Sequence, residues 1–155
     1  MIRRALEMDM ERIKNLLHQV QNVHADGRPD IFYHGGIKYT DEELKSILRD
    51  DHCPVYVFLD EENVVQGYAF CIYEEVKGSS NCCDMKTCYI DDICVDENCR
   101  HMQVGQRLYQ HVVDTAKEAG CDRITLNVWE CNPTAKKFYE KMGLVPLKTT
   151  MEYKL

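Results

Sequence analysis

The apolar positions of this chain switch between two spacings, and the switches lay out its elements. Residues 2–5 read as a short strand. Ile13, Leu16, Leu17, Val20 and Val23 then fall three and four apart, the mark of a helix with one buried stripe, and Asp9 stands where its cap belongs. Segment 24–36 breaks that pattern with Gly27, Pro29, Gly35 and Gly36. Thr40 and Glu43 form a capping box for a second helix with Leu44, Ile47 and Leu48 inward. Apolar runs at 54–60 and 64–76, split by a polar turn at 61–63, read as a hairpin. After a polar loop, 87–95 reads as a third strong strand. Val104, Leu108, Val112, Ala116 and Ala119 mark the next helix, which Gly120 ends. A strand at 123–129 follows, then a short helix opened by Asn132 and Pro133 and closed at Gly143. Residues 144–155 leave room for one or two terminal strands.

This order predicts a single α/β domain over 1–155: a mixed sheet with flanking helices, and a right-handed parallel crossover from Tyr89 to Trp129. A chain of 155 residues buries enough surface for a core without staples. No apolar run approaches the ~20 residues of a membrane span. The first residues carry no apolar stretch of the secretory kind, and Glu7, Asp9 and Glu11 disfavour a transit peptide. Nine cysteines, an odd number with no export signal, predict reduced thiols and a cytoplasmic protein. The cluster Cys82, Cys83, Cys88, Cys94 and Cys99 lacks paired metal-ligand spacing and a neighbouring histidine pair. It reads as small hydrophobes and loop thiols, with no metal. A net charge of −7 disfavours nucleic acid and leans toward a cationic partner.

The junction from Cys99 to Gln106 can carry chemistry. A helix N-terminus presents unpaired N–H groups and about half a positive charge. Arg100 adds a full charge, and Gly105 permits close approach. Together they can seat a pyrophosphate, although an ordinary strand-to-helix connection would look much the same.

A second segment changes that balance. Arg100-His101-Met102-Gln103-Val104-Gly105 matches the pattern [R/Q]-x-x-G-x-[G/A], and Asn132, Ala135, Tyr139 and Gly143 match N-x-x-A-x-x-x-Y-x-x-x-G. With the order of elements, these resemble the GNAT superfamily of acyl-CoA-dependent N-acetyltransferases over nearly the whole chain. The resemblance implies a GNAT-like, mostly antiparallel twisted sheet and acetyl-CoA as co-substrate. It implies pantetheine along Ile93, Cys94 and Val95, pyrophosphate on residues Arg100, His101, Met102, Gln103, Val104, Gly105 and Gln106, and cofactor contacts at Asn132, Ala135 and Tyr139. Gln103 departs from the pattern, which has glycine there. At a helix start it is expected to take helical dihedrals, its N–H still donating.

By the same resemblance Tyr139 is the general acid. A phenol near ~10 can protonate a departing thiolate near ~8.5. The attacking amine, near ~10.4 when free, must lose a proton to a carboxylate. Asp91 and Asp92 are the candidates, on opposite faces of a regular strand, with Asp91 favoured by its likeness to an acidic pair in the spermidine/spermine acetyltransferases. Glu130 and Glu74 stand in reserve. Each acid also has a plain reading as a solvated or Arg-paired group, Asn132 as a simple cap, and Tyr139 as helix packing. Asp26, Asp30, Tyr33 and His34 could line an acceptor side or merely a surface loop; His24 and His34 have no evident partner.

The sequence thus predicts acetyl transfer to a primary amine by direct attack in a ternary complex. The acceptor would be a polyamine, an amino sugar or a protein amine, with no nucleic acid and no membrane involved. Sheet edges in this superfamily often pair, which allows a homodimer. The competing reading is a catalytically weak acyl-CoA-binding sensor, resting on Gln103 alone.

Overall fold

Three strand pairings in one sheet are antiparallel and the fourth is parallel. The computed structural model describes residues 1–99 and 103–155. Its strands are β1 (Ile2–Arg4), β2 (Val55–Leu59), β3 (Val65–Val76), β4 (Met85–Val95) and β5 (Arg123–Leu126), adjacent in that order. Helices α1 (Met10–Gly27) and α2 (Asp41–Arg49) precede the hairpin, α3 (Val104–Glu118) joins β4 to β5, and α4 (Pro133–Lys141) follows.

The pleat divides the core between two faces. Tyr68 and Phe70 of β3 pack with Ile13 and Leu16 of α1 and Leu44 of α2. Ala69 and Cys71 turn the other way, onto Val104, Leu108, Val112 and Ala116 of α3. Leu16, Leu44 and Leu108 are fully buried, each worth roughly 1.5–3 kcal/mol of transfer free energy. Gly120 closes α3 at φ +74°, a left-handed cap that glycine adopts without strain.

Several expectations need correction. Asp9 does not cap α1. Its carboxylate instead accepts from Leu6 N–H at 2.8 Å and from both Arg3 Nη atoms at 2.7 and 2.9 Å. Burial pushes that carboxyl up, but the Arg3 and Leu6 hydrogen bonds win and hold it below its ordinary value. The first helix runs through the expected break to Gly27, where a Cβ would meet Cys131 Sγ at 2.7 Å. β5 stops at Leu126, short of Trp129.

No strand forms in 144–155. From Val145 onward the large apolar side chains fall on odd numbers, and Val145, Leu147, Met151, Tyr153 and Leu155 are 65–116% exposed, while Leu144 is half-buried. The even side ties back to the chain, Glu152 to Arg28 at 2.8 Å and Lys154 to Asp30 at 2.9 Å. A one-sided apolar ribbon has nothing to pack on within this chain, and a lone strand does not stand by itself. The outer edge of β5 carries no strand among the described residues.

Candidate active site

β4 and β5 part company at mid-sheet. Their pairing runs from Thr87↔Arg123 to Ile90↔Leu126, whereas β3 stays paired with β4 out to Gly67↔Val95. Beyond Ile90 a cleft therefore opens between the two parallel strands, with Ile93, Cys94 and Val95 on one wall. Cys94 is buried toward α1, its Sγ 3.7 Å from Leu16 O, while Ile93 and Val95 pack toward α3. An extended amide-bearing ligand fits such a wall, because strand backbone can pair with it whatever the side chains are.

α3 starts at the mouth of this cleft. Arg100, His101 and Met102 lie outside the described residues. Gln103 has φ 57° and ψ 16°, left-handed rather than helical as expected. The chain enters α3 through the conformation a glycine would take freely, and Gln103 bears the strain of a Cβ there. The Gln103 side chain does not cap this helix, and among the described residues its first N–H groups have no side-chain partner and can face an anion. Val104 is anchored in the core and Gln106 is exposed. Gly105 serves packing: a Cβ there would lie 3.4 Å from both Phe138 and Val95. Gln103→Gly is expected to stabilise the protein by about 1 kcal/mol through relief of the left-handed strain, raising Tm by roughly 2–4 °C. An unchanged or lower Tm would show that Gln103 is not strained.

The acidic pair sits on β4 itself, just before Ile93. The β3–β4 register slips between Phe70 and Cys71, where two residues of β4 oppose one step of β3. That bulge overrides the alternation expected of a strand, and Asp91 and Asp92 both reach the Lys38 ammonium, at 2.9 and 3.6 Å. Tyr39 Oη donates to Asp91 Oδ2 and Tyr68 Oη to Asp92 Oδ2, each at 3.0 Å. Tyr68 is wholly buried, and Tyr39 stacks on Phe70 with centroids 5.8 Å apart. Burial raises the Asp92 carboxyl above its ordinary value, with Lys38 and Tyr68 opposing and Asp91 adding to the rise. Burial would lower Lys38, but Asp92 and Asp91 raise it above the lysine range, so it stays charged. Tyr39 is pushed up to about 12, chiefly by burial.

Tyr139 faces this cluster from α4. Burial first, then the charges of Asp92 and Cys94, raise its phenol above the ordinary value. It packs edge-on against Phe138, centroids 5.3 Å apart, and its hydroxyl makes no hydrogen bond among the described residues. Asn132 Oδ1 accepts from Ala135 N–H at 3.2 Å, so the cap reading of Asn132 holds. Glu130 pairs with Lys136 at 2.9 Å, and Glu74 is exposed on β3; neither joins the cluster.

On the α1–α2 connection, Asp30 is held by Arg28 and Lys154, and Tyr33 is 84% exposed. His34 does have a partner, Asp26 at 3.4 Å. His24, Phe32 and Trp129 form an aromatic group, Phe32 meeting Trp129 edge-on at 5.2 Å. Burial lowers His24, with Lys38 pushing the same way against Asp92. Sequence reasoning missed Lys38, Tyr39 and Tyr68. The available signal was indirect: two adjacent carboxylates in an apolar strand require a buried counter-charge. Among the described residues no three His, Cys, Asp or Glu side chains converge as metal ligands.

The parallel pair splits where α3 begins, and the carboxylate pair and Tyr139 lie on the elements around that split. The sequence profile of the acetyltransferase (GNAT) family matches residues 10–144, and the chain belongs to that family. It is 31% identical over 103 residues, 66% of its length and 64% of the relative's, to a glucosamine 6-phosphate N-acetyltransferase of Arabidopsis thaliana. A probable glucosamine 6-phosphate N-acetyltransferase of Oryza sativa is 35% identical over 39% of this chain and 34% of its own length. The chain thus spans less than two thirds of both curated relatives. A mutant of the BH1408 protein from Bacillus halodurans superposes with a TM-score of 0.96 at 30% identity, over 100% of this chain and 99% of that one. An aminoglycoside N-acetyltransferase in complex with CoA shares the fold, with a TM-score of 0.73 at 17% identity over 100% and 98% of the two chains. No helix among the described residues is long and apolar enough to cross a membrane.

Proposed function

We propose that the protein transfers an acetyl group from acetyl-CoA to a primary amine by direct attack. The observation that carries this reading is the bulge that gathers Asp91 and Asp92 about Lys38, with Asp92 within electrostatic reach of Tyr139. Acetyl-CoA supplies the activated carbonyl; Ile93, Cys94 and Val95, together with residues Arg100 to Gln106, would hold it. Asn132 and Ala135 border that seat from α4.

Asp91 anchors the incoming ammonium, and Asp92 accepts its proton. Burial suits Asp92 to that task, since a raised carboxyl is a stronger base than a free one. Tyr139 keeps its proton across the working pH range and donates a hydrogen bond where negative charge develops on sulfur. The step balances as follows: an N–C bond forms and the C–S bond breaks; two protons leave the ammonium, one to Asp92 before attack and one to water from the nitrogen after it, and water returns one proton to the departing thiolate, whose charge the Tyr139 hydrogen bond steadies meanwhile. Calorimetric titration with acetyl-CoA, followed by thiol release across an amine panel, tests this. Binding with amine-dependent release is expected. Binding without release from any amine would favour a sensor.

We also propose that the chain works as a homodimer in the cytoplasm, with its thiols reduced. The odd-numbered apolar face of 144–155 and the open edge of β5 support pairing between copies. Two such ribbons could supply the ~800 Å² per partner that a stable interface needs. Light scattering is expected to give twice the chain mass for the whole protein, and one chain mass for L147K/Y153K. A monomeric parent protein at micromolar concentration would exclude the pairing.

A further inference from the structure

Beside Asp91 lies a depression of about 230 Å³, open to solvent on one side and lined by Tyr39, Ile47, Cys53, Phe70 and Ile72. Asp91 is its charged group. An apolar cavity of roughly 150 Å³ holds a benzene ring. This depression has room for a ring and a short alkyl arm, with the amine end directed at the acidic pair.

The second observation is Lys38. Its ammonium already sits between the two carboxylates. Two acids and one lysine leave a single negative charge, enough for one substrate ammonium. The hydrogen bonds to Asp91 and Asp92 all go to Oδ2, so Oδ1 of each remains for the substrate among the described residues. A second positive charge on the acceptor would lie against apolar walls, losing hydration there, with Asp50 beside Cys53 as the nearest further carboxylate and no second acid among the lining residues. A phosphate on the acceptor would meet the same apolar walls and a negative pair.

Resting on the acetyl-transfer reading, we infer that the acceptor is a monoamine with an apolar body, and that Lys38 and the Ile47–Phe70 depression set this specificity. Polyamines, aminoglycosides and phosphorylated amino sugars are then poor acceptors. Lys38 is a specificity residue: it holds the count of charges in the site at one.

The test is thiol release from acetyl-CoA with 2-phenylethylamine, putrescine, spermidine and glucosamine 6-phosphate as acceptors. The aryl monoamine is expected to exceed the other three in kcat/KM by at least about 100-fold. In Lys38→Met the site regains its second negative charge, and the ratio should shift at least about 10-fold toward putrescine. Ile47→Trp, which fills the depression, should raise KM for 2-phenylethylamine at least about 10-fold and leave KM for acetyl-CoA unchanged. Preference for a polyamine or the phosphosugar in the parent protein overturns the inference and leaves acetyl transfer standing. Release with no amine overturns both.

Discussion

Tyr139→Phe is expected to lower kcat by about 10²-fold or more, while KM for acetyl-CoA changes less than about threefold. The hydroxyl makes no hydrogen bond among the described residues, so its loss leaves no partner stranded and should change stability by under about 1 kcal/mol. What disappears is a donor that acts only as charge gathers on sulfur. The raised phenol matters here in a particular way. It makes complete proton transfer less favourable than from a free tyrosine, but it guarantees that the group is a donor at every working pH. The rate effect should therefore be nearly flat from pH 6 to 9. Steady-state kinetics of the folded variant decide the matter: a kcat within about threefold of the parent value would reduce Tyr139 to the packing role that its contact with Phe138 already provides.

Much of the fold was legible because its signals are local. The capping box at Thr40 and Glu43 appears as written, with Glu43 N–H donating to Thr40 Oγ1 at 3.2 Å and Thr40 N–H to Glu43 Oε2 at 2.7 Å. The α3 stripe from Val104 to Ala116 is buried throughout. The hairpin of β2 and β3 and the parallel crossover through α3 follow from period and order alone. The misses share one cause, tertiary geometry with no local trace. Gln103 takes left-handed dihedrals that a glutamine does not favour by itself. Asp91 and Asp92 share a face because of a slip in β3 pairing that no period of two anticipates. The terminal segment has a strand's alternation but no neighbour in its own chain.

The site was half legible for the same reason. Its motif residues sit at fixed offsets along the sequence, so Asn132, Ala135 and Tyr139 could be placed together. Lys38 is 53 residues from Asp91 and lies in an irregular segment with no periodicity. Its role follows only from where the chain folds back. The net charge of the Asp91–Asp92 cluster depends on that unheralded residue.

Asp96→Ala is expected to destabilise the protein by roughly 3 kcal/mol and to raise KM for acetyl-CoA. Asp96 is 3% exposed at the end of β4, just before the loop that leads into α3. Its carboxylate pairs with Arg12 and accepts from Gln19 at 3.2 Å, both on α1, and from Asn98 N–H at 2.9 Å and Asn98 Nδ2 at 3.0 Å. One group thus ties α1 to the turn after β4, and its loss leaves Arg12 uncompensated and that turn without its anchor. Burial pushes this carboxyl up, but the Asn98, Arg12 and Gln19 contacts prevail and hold it at about 2. The sign follows from that depression. The unfolded chain takes up the proton first, near pH 4, so the stabilisation is complete above that value and disappears as pH falls toward 2. Over that window the parent protein should lose on the order of 2 kcal/mol through this group, and Asp9, shifted the same way, adds to the slope. Asp96→Asn keeps the shape without the charge. Its unfolding free energy in urea should start lower at pH 7 and fall less steeply between pH 5 and 2. Parallel pH profiles for parent and variant would mean that the carboxylate charge is not what holds α1 to the loop.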